Sequence, residues 1–211
     1  MNTDDLIADL ATEPPPPRFL PAVLAGRIVA AVLLPVALFL AALGTRADLA
    51  QAWANPVVPL KTALPLMLCV LALGALLRLA RPEAQARALL RGLALPLLVA
   101  GGLWIWAFAT LPPAARFAEL GLFSLSECLG LIVLLAVLPA AVALRVMRRG
   151  APQRPMLSGA LAGLAAGAGA ATGYSLFCTQ DNPLFFVTWY GVAIAVVTIA
   201  AALVGRRLLR W

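Results

Sequence analysis

The sequence predicts an all-α, polytopic membrane protein of six transmembrane helices with both termini cytoplasmic. Three observations carry this reading. Of 211 residues, 63% are apolar and only 12% charged, with a mean hydropathy of +0.97, whereas globular domains are nearer half apolar and a quarter charged. The apolar residues fall into six stretches, each of roughly twenty residues, the length a helix needs to cross a bilayer core. The basic residues are divided very unequally between the two sets of connecting segments.

Residues 1–23 form an acidic tail and residues 24–211 the six-helix membrane domain. The tail holds Asp4, Asp5, Asp9 and Glu13, four of the nine acidic residues in the chain. Thr3 is placed to cap a short helix, whose positive N-terminal end suits Asp4 and Asp5. Leu6, Ile7 and Leu10 then share one face. The run Pro14–Pro17 stops that helix and acts as a stiff spacer to the membrane. An acidic, proline-rich start is not a secretory signal, and the first apolar run is longer than a signal core, so it reads as a retained helix. The leucine face fits a groove on a partner.

The expected spans are 25–44, 57–77, 92–111, 122–144, 156–177 and 185–204. Short connections make sequential helices antiparallel. Pro35, Pro65, Pro96 and Pro139 fall inside the first four spans and bend them, which membrane helices tolerate. The fifth span carries Gly159, Gly163 and Gly167 at four-residue spacing, followed by Gly169 and Gly173, a pattern that lets helix backbones approach closely. The two halves of the chain show no repeat of the kind found in inverted-repeat transporters.

Arg18, Arg27, Arg78, Arg81, Arg87, Arg91, Arg145, Arg148, Arg149, Arg154, Arg206, Arg207 and Arg210 fall on one side, and only Arg46, Lys61 and Arg116 on the other. Thirteen of the sixteen basic residues on one side is a strong positive-inside bias and makes that side cytoplasmic. Trp53, Trp104, Trp106, Tyr174, Trp189 and Tyr190 gather toward the opposite face, as an interfacial belt would.

The net charge of +7 does not indicate nucleic acid, because the basic residues sit in short stretches between spans and no nucleic-acid module is present. Three cysteines, no histidine, no C-x-x-C and no H-E-x-x-H argue against a closed zinc site. There is no phosphate-cradling or dinucleotide glycine fingerprint either. No cofactor and no enzymatic activity are expected. A small transporter would need polar residues along a mid-membrane path, which the spans nearly lack. A thiol oxidoreductase would need closely spaced redox cysteines. A structural subunit of a membrane complex shares the topology and differs only in its partner.

Cys178, in SLFCTQDNPLFF, ends the fifth span on the non-cytoplasmic side, and Cys128, in LFSLSECLG, begins the fourth at similar depth. A disulfide requires α-carbons within about 4.4–6.8 Å; the alternative is two small buried hydrophobes. Cys69, among leucines in the second span, reads as packing. Glu127 and Lys61 lie at comparable outer depth and are expected to pair. The sharper alternative sets Glu127 and Asp181 as oxygen ligands beside the two thiolates, a donor set for a soft or borderline metal.

The passages TDDLIADLA, RRGAPQRPMLSGALAGLAAGAGAATGYSLFC and DNPLFFVTWYGVAIAVVTIAAALVGRRLLRW together resemble the NrsF-type family of six-helix membrane anti-sigma factors. The resemblance runs nearly end to end and is strongest over residues 145–211. It implies a multi-pass protein of the bacterial inner membrane that sequesters a cytoplasmic extracytoplasmic-function sigma factor and does not itself bind nucleic acid. It also implies that two envelope-facing cysteines sense metal or oxidant stress; these match Cys128 and, in a C-x-x-D-x-x-x-F context, Cys178. The sigma-binding face would include Asp4, Asp5, Leu6, Ile7 and Leu10. The family pattern has histidine before its second cysteine, where this chain has Phe177. A metal site here would lack imidazole, which weakens metal ligation more than thiol redox.

Overall fold

The computed structural model describes residues 2–12, 21–80, 86–117, 122–150 and 152–210. Among them every regular element is helical: α1 (Thr3–Thr12), α2 (Pro21–Leu43), α3 (Leu49–Ala52), α4 (Val57–Leu79), α5 (Arg87–Gly92), α6 (Ala94–Thr110), α7 (Pro113–Arg116), α8 (Leu122–Met147), α9 (Pro155–Ser175) and α10 (Pro183–Leu208). Six segments are long and apolar enough to cross a membrane: α2, α4, α5 with α6, α8, α9 and α10. These are the six spans expected, while the short helices α3, α5 and α7 went unforeseen.

The tail helix forms, but its cap differs from the one expected. Asn2, not Thr3, precedes the first turn: its side-chain oxygen accepts from the Thr3 amide at 2.8 Å, and Asp5 accepts from the Asn2 amide at 3.2 Å. A carboxylate three residues into the helix thus reaches back to the capping residue, one half of a capping box. Asp4, Asp5 and Ile7 are exposed, Ile7 by 60%. The side chains of Leu6, Asp9 and Leu10, together with Glu13, Pro14–Pro17, Arg18 and Arg81, lie outside the described residues.

Pro35, Pro65 and Pro139 sit within helices, as expected. Pro96 also lies inside its span, in the first turn of α6, just after a break at Leu93. Its ring crowds the carbonyl four residues back, that of Gly92, and it offers that carbonyl no N–H. The helix therefore ends at Gly92 and restarts.

The bundle is organised around α9. Of its apolar stretch 72% is buried, against 11% for the α5–α6 span, which lies at the periphery. It packs most extensively on α10, then on α4 and α8, with α2 along a further side. Gly163 shows why this is feasible: a Cβ there would sit 2.6 Å from the Val197 carbonyl oxygen and 2.8 Å from the Thr198 Cα. Across the helix, a Cβ on Gly169 would sit 2.7 Å from a Val32 methyl of α2. Without a hydrophobic drive between helices in lipid, such close backbone packing is a main source of association. The pairing is antiparallel: Gly159 meets Ala201 and Gly205, and Gly167 meets Ile194. The end of α2, the start of α4, the start of α8 and the α9–α10 connection consequently meet at the end of the bundle remote from the start of α2 and the end of α10. We call this the distal end.

Replacing Gly163 by leucine is expected to cost about 1–3 kcal/mol through overpacking, read as a lower melting temperature in detergent. Gly102, with open space where its Cβ would point, should accept the same change with little effect.

Candidate functional site

Residues 176–182 join α9 to α10 across the distal end, and each turn of this connection is held. The Cys178 amide closes α9 by donating to the Tyr174 carbonyl at 3.0 Å. At the other end Asn182 caps α10: its side-chain oxygen accepts from the Leu184 amide at 3.0 Å, ahead of Pro183 in the first turn. Its amide nitrogen donates to the Ala115 and Arg116 carbonyls at 3.4 and 3.3 Å, tying the connection to α7.

Between these anchors lies a charge network. Lys61, near the start of α4, is 1% exposed. Its ammonium donates to the carbonyls of Cys178 and Gln180, both at 2.7 Å, and to Asp181 Oδ1 at 3.2 Å. An ammonium carries three donors, so all three are engaged. Arg46, from the α2–α3 connection, is 7% exposed. It binds Asp48 through Nε and Nη2 at 2.8 and 2.9 Å, and Asp181 through Nη1 at 2.7 and 2.9 Å. Its backbone N–H donates to the Leu176 carbonyl at 3.0 Å. Two cations thus face two carboxylates. The hydrogen bonds to Asp48 first, and to Asp181 next, hold the Arg46 guanidinium above its ordinary pKa. The same contact with Arg46 holds the Asp48 carboxyl below the usual carboxylate range.

This corrects the expected Lys61–Glu127 pair. The ammonium is satisfied by the α9–α10 connection, and Glu127 is exposed on the first turns of α8. Asp181 in turn is engaged with two cations, Arg46 and Lys61. Among the described residues no group of three or more His, Cys, Asp or Glu side chains is placed to hold a metal ion.

Cys128 and Cys178 are brought together. Both are free thiols, 1% and 5% exposed, and both line one cavity of about 340 Å³ with Thr45, Arg46, Glu127, Tyr174 and Gln180. The Tyr174 hydroxyl neighbours the Cys128 thiol, and the Tyr190 hydroxyl neighbours Cys178. The Tyr190 hydroxyl is buried and makes no hydrogen bond of good geometry. The two rings meet edge to face, their centroids 5.9 Å apart. Tyr174 and Tyr190 are therefore core residues, 3% and 4% exposed, and not members of an interfacial belt. Trp53 and Trp106, 49% and 54% exposed, remain on the outside. Cys69 stands apart, half-buried in a wholly apolar groove between α2, α4 and α9.

Sequence reasoning placed Arg46 only as one of three basic residues on the distal side and missed its role, along with those of Asp48 and the two tyrosines. One signal was available: Tyr174 lies four residues before Cys178, on the same face of the helix that leads to it.

The chain matches the family model described as "NrsF: Negative regulator of sigma F" over residues 8–211. It belongs to the NrsF family. The match covers Lys61, Cys128, Cys178 and Asp181 and begins after Asp4, Asp5, Leu6 and Ile7. A protein of Azospira oryzae described as a probable anti-sigma-F factor NrsF is 37% identical over 177 residues, which is 82% of each chain. No solved structure matches the chain. Family membership bears out the resemblance read from the sequence.

Replacing Asn182 by alanine removes both the cap of α10 and the tie to α7. The expected loss is about 0.5–2 kcal/mol, read as a lower melting temperature in detergent; an unchanged value would mean that the connection is held by the charge network alone.

Proposed function

We propose that this protein is a membrane anti-sigma factor that holds an extracytoplasmic-function sigma factor at the bacterial inner membrane and releases it when Cys128 and Cys178 are oxidised from the envelope side. Membership of a family of negative regulators of sigma F carries the reading. The shared thiol cavity supplies the input. In this arrangement both termini are cytoplasmic, which the arginine bias supports, and the distal end faces the envelope.

The output lies at the opposite end. The exposed tail helix presents Asp4, Asp5 and Ile7, with Leu6 and Leu10 on the same helix, and this acidic-apolar surface suits a basic groove on the sigma factor. Cys128 sits on α8 and Cys178 lies three residues beyond the end of α9, and both helices run the full depth of the bundle. Oxidation by a two-electron oxidant such as a peroxide joins the two sulfurs, releases two protons and passes two electrons to the oxidant. Drawing the sulfurs together shifts α8 against α9 and changes the cytoplasmic face. A near-complete switch requires roughly 5.5 kcal/mol of differential stabilisation. A disulfide typically supplies about 2–4 kcal/mol, so a graded release is the natural outcome. Metal stress acts in this scheme through the thiols, without an imidazole ligand.

The test is purification of the tagged full-length protein in mild detergent from its own membranes, with mass spectrometry of what accompanies it. A sigma factor should be recovered, lost on deletion of residues 2–13, and retained under oxidant when Cys128 and Cys178 are both serine. Recovery of no sigma factor would refute the anti-sigma reading. Undiminished release from the serine variant would refute the thiol input.

A further inference from the structure

We propose that Lys61, Arg46 and Asp181 form a charge latch that holds the 176–182 connection closed over the bundle and thereby sets the accessibility of Cys178. The proposal deepens the functional reading above, since it takes Cys178 to be a signalling thiol, but its geometry is independent of the partner.

Three features separate the latch from an ordinary surface ion pair. Its members come from three distant segments: Arg46 after α2, Lys61 on α4, and Asp181 before α10. Its bonds converge on the residues around one thiol. Lys61 binds the carbonyls of Cys178 and Gln180, and Arg46 binds the carbonyl of Leu176 through its amide and Asp181 through its guanidinium. Both cations are buried, so opening the connection strands them. An ammonium that is 1% exposed cannot lose its three acceptors without either staying unpaired in a poorly solvated site or moving with the opening segment. Opening is therefore all-or-none rather than a gradual fraying. Lys61 and Asp181 act as positioning residues: they do not touch the thiol, and they work through the backbone that carries it.

The prediction concerns rates. Full-length protein in nanodiscs is treated with a membrane-impermeant maleimide, and labelling of each cysteine is followed by mass spectrometry. Lys61→Met keeps most of the length of the side chain and removes the charge; Asp181→Asn keeps the shape and removes the carboxylate. Each should speed labelling of Cys178 by roughly 10- to 100-fold, the factor carried by loss of a charge-assisted hydrogen bond, and leave Cys69 unchanged. The double variant should be little faster than either single variant, because both open the same latch. An unchanged Cys178 rate would overturn the proposal, and so would an equal rise at Cys69, which signals general loosening. Should Lys61→Met fail to accumulate, Asp181→Asn carries the same test. Faster labelling combined with unaltered sigma-factor recovery would leave the latch standing and count against the sensing role of Cys178.

Discussion

A buried ammonium that must find three oxygens governs the distal half of this molecule. Lys61 is inside the bundle at the edge of the membrane-spanning region, and its three acceptors come from residues 178–181. An uncompensated charge there is among the costliest defects a protein can hold. The path of the α9–α10 connection follows: it has to cross over the start of α4 and bring two carbonyls and a carboxylate down onto the ammonium. Arg46 completes the arrangement from the other flank, and the position of Cys178 is the consequence. The thiol is buried because the backbone on either side of it is required elsewhere.

That geometry rests on close packing. The connection reaches Lys61 because α9 lies close against α4 and α10, and it lies that close because its contact face is glycine and alanine. Small residues let α9 meet four neighbours at once along the length of the bundle, from the arginine-rich end to the distal cavity. α8 reaches the same cavity through Cys128 and packs along α9 below it. The peripheral α5–α6 span contributes less, tied in by the Trp104 indole, which donates to Thr188 at 3.1 Å.

Much of this was legible in the sequence, and the misses share a cause. The six spans follow from length and apolarity, and the role of α9 from glycines at four-residue spacing. The meeting of Cys128 and Cys178 follows from counting antiparallel crossings. What could not be read was which acid answers Lys61. Glu127 and Asp181 sit at similar depth, and the choice depends on how far the connection folds inward, a property of α4–α9 packing. The tyrosines were misplaced for a related reason. A tyrosine at a span end usually sits at the lipid interface, but Tyr174 and Tyr190 face each other across α9 and α10 and fill the space beside the thiols. The break at Leu93 was readable in principle, since Pro96 disrupts the bond to Gly92. It was masked by an apolar run that continues through it.

The proposed switch requires that the distal thiol cavity and the N-terminal tail be energetically coupled through the bundle. Hydrogen–deuterium exchange of the full-length protein with its sigma factor in nanodiscs, before and after oxidation of Cys128 and Cys178, tests this most directly. Oxidation should lower protection both in residues 176–182 and in α1, as the partner leaves. A change confined to the distal connections, with α1 equally protected in both states, would contradict it.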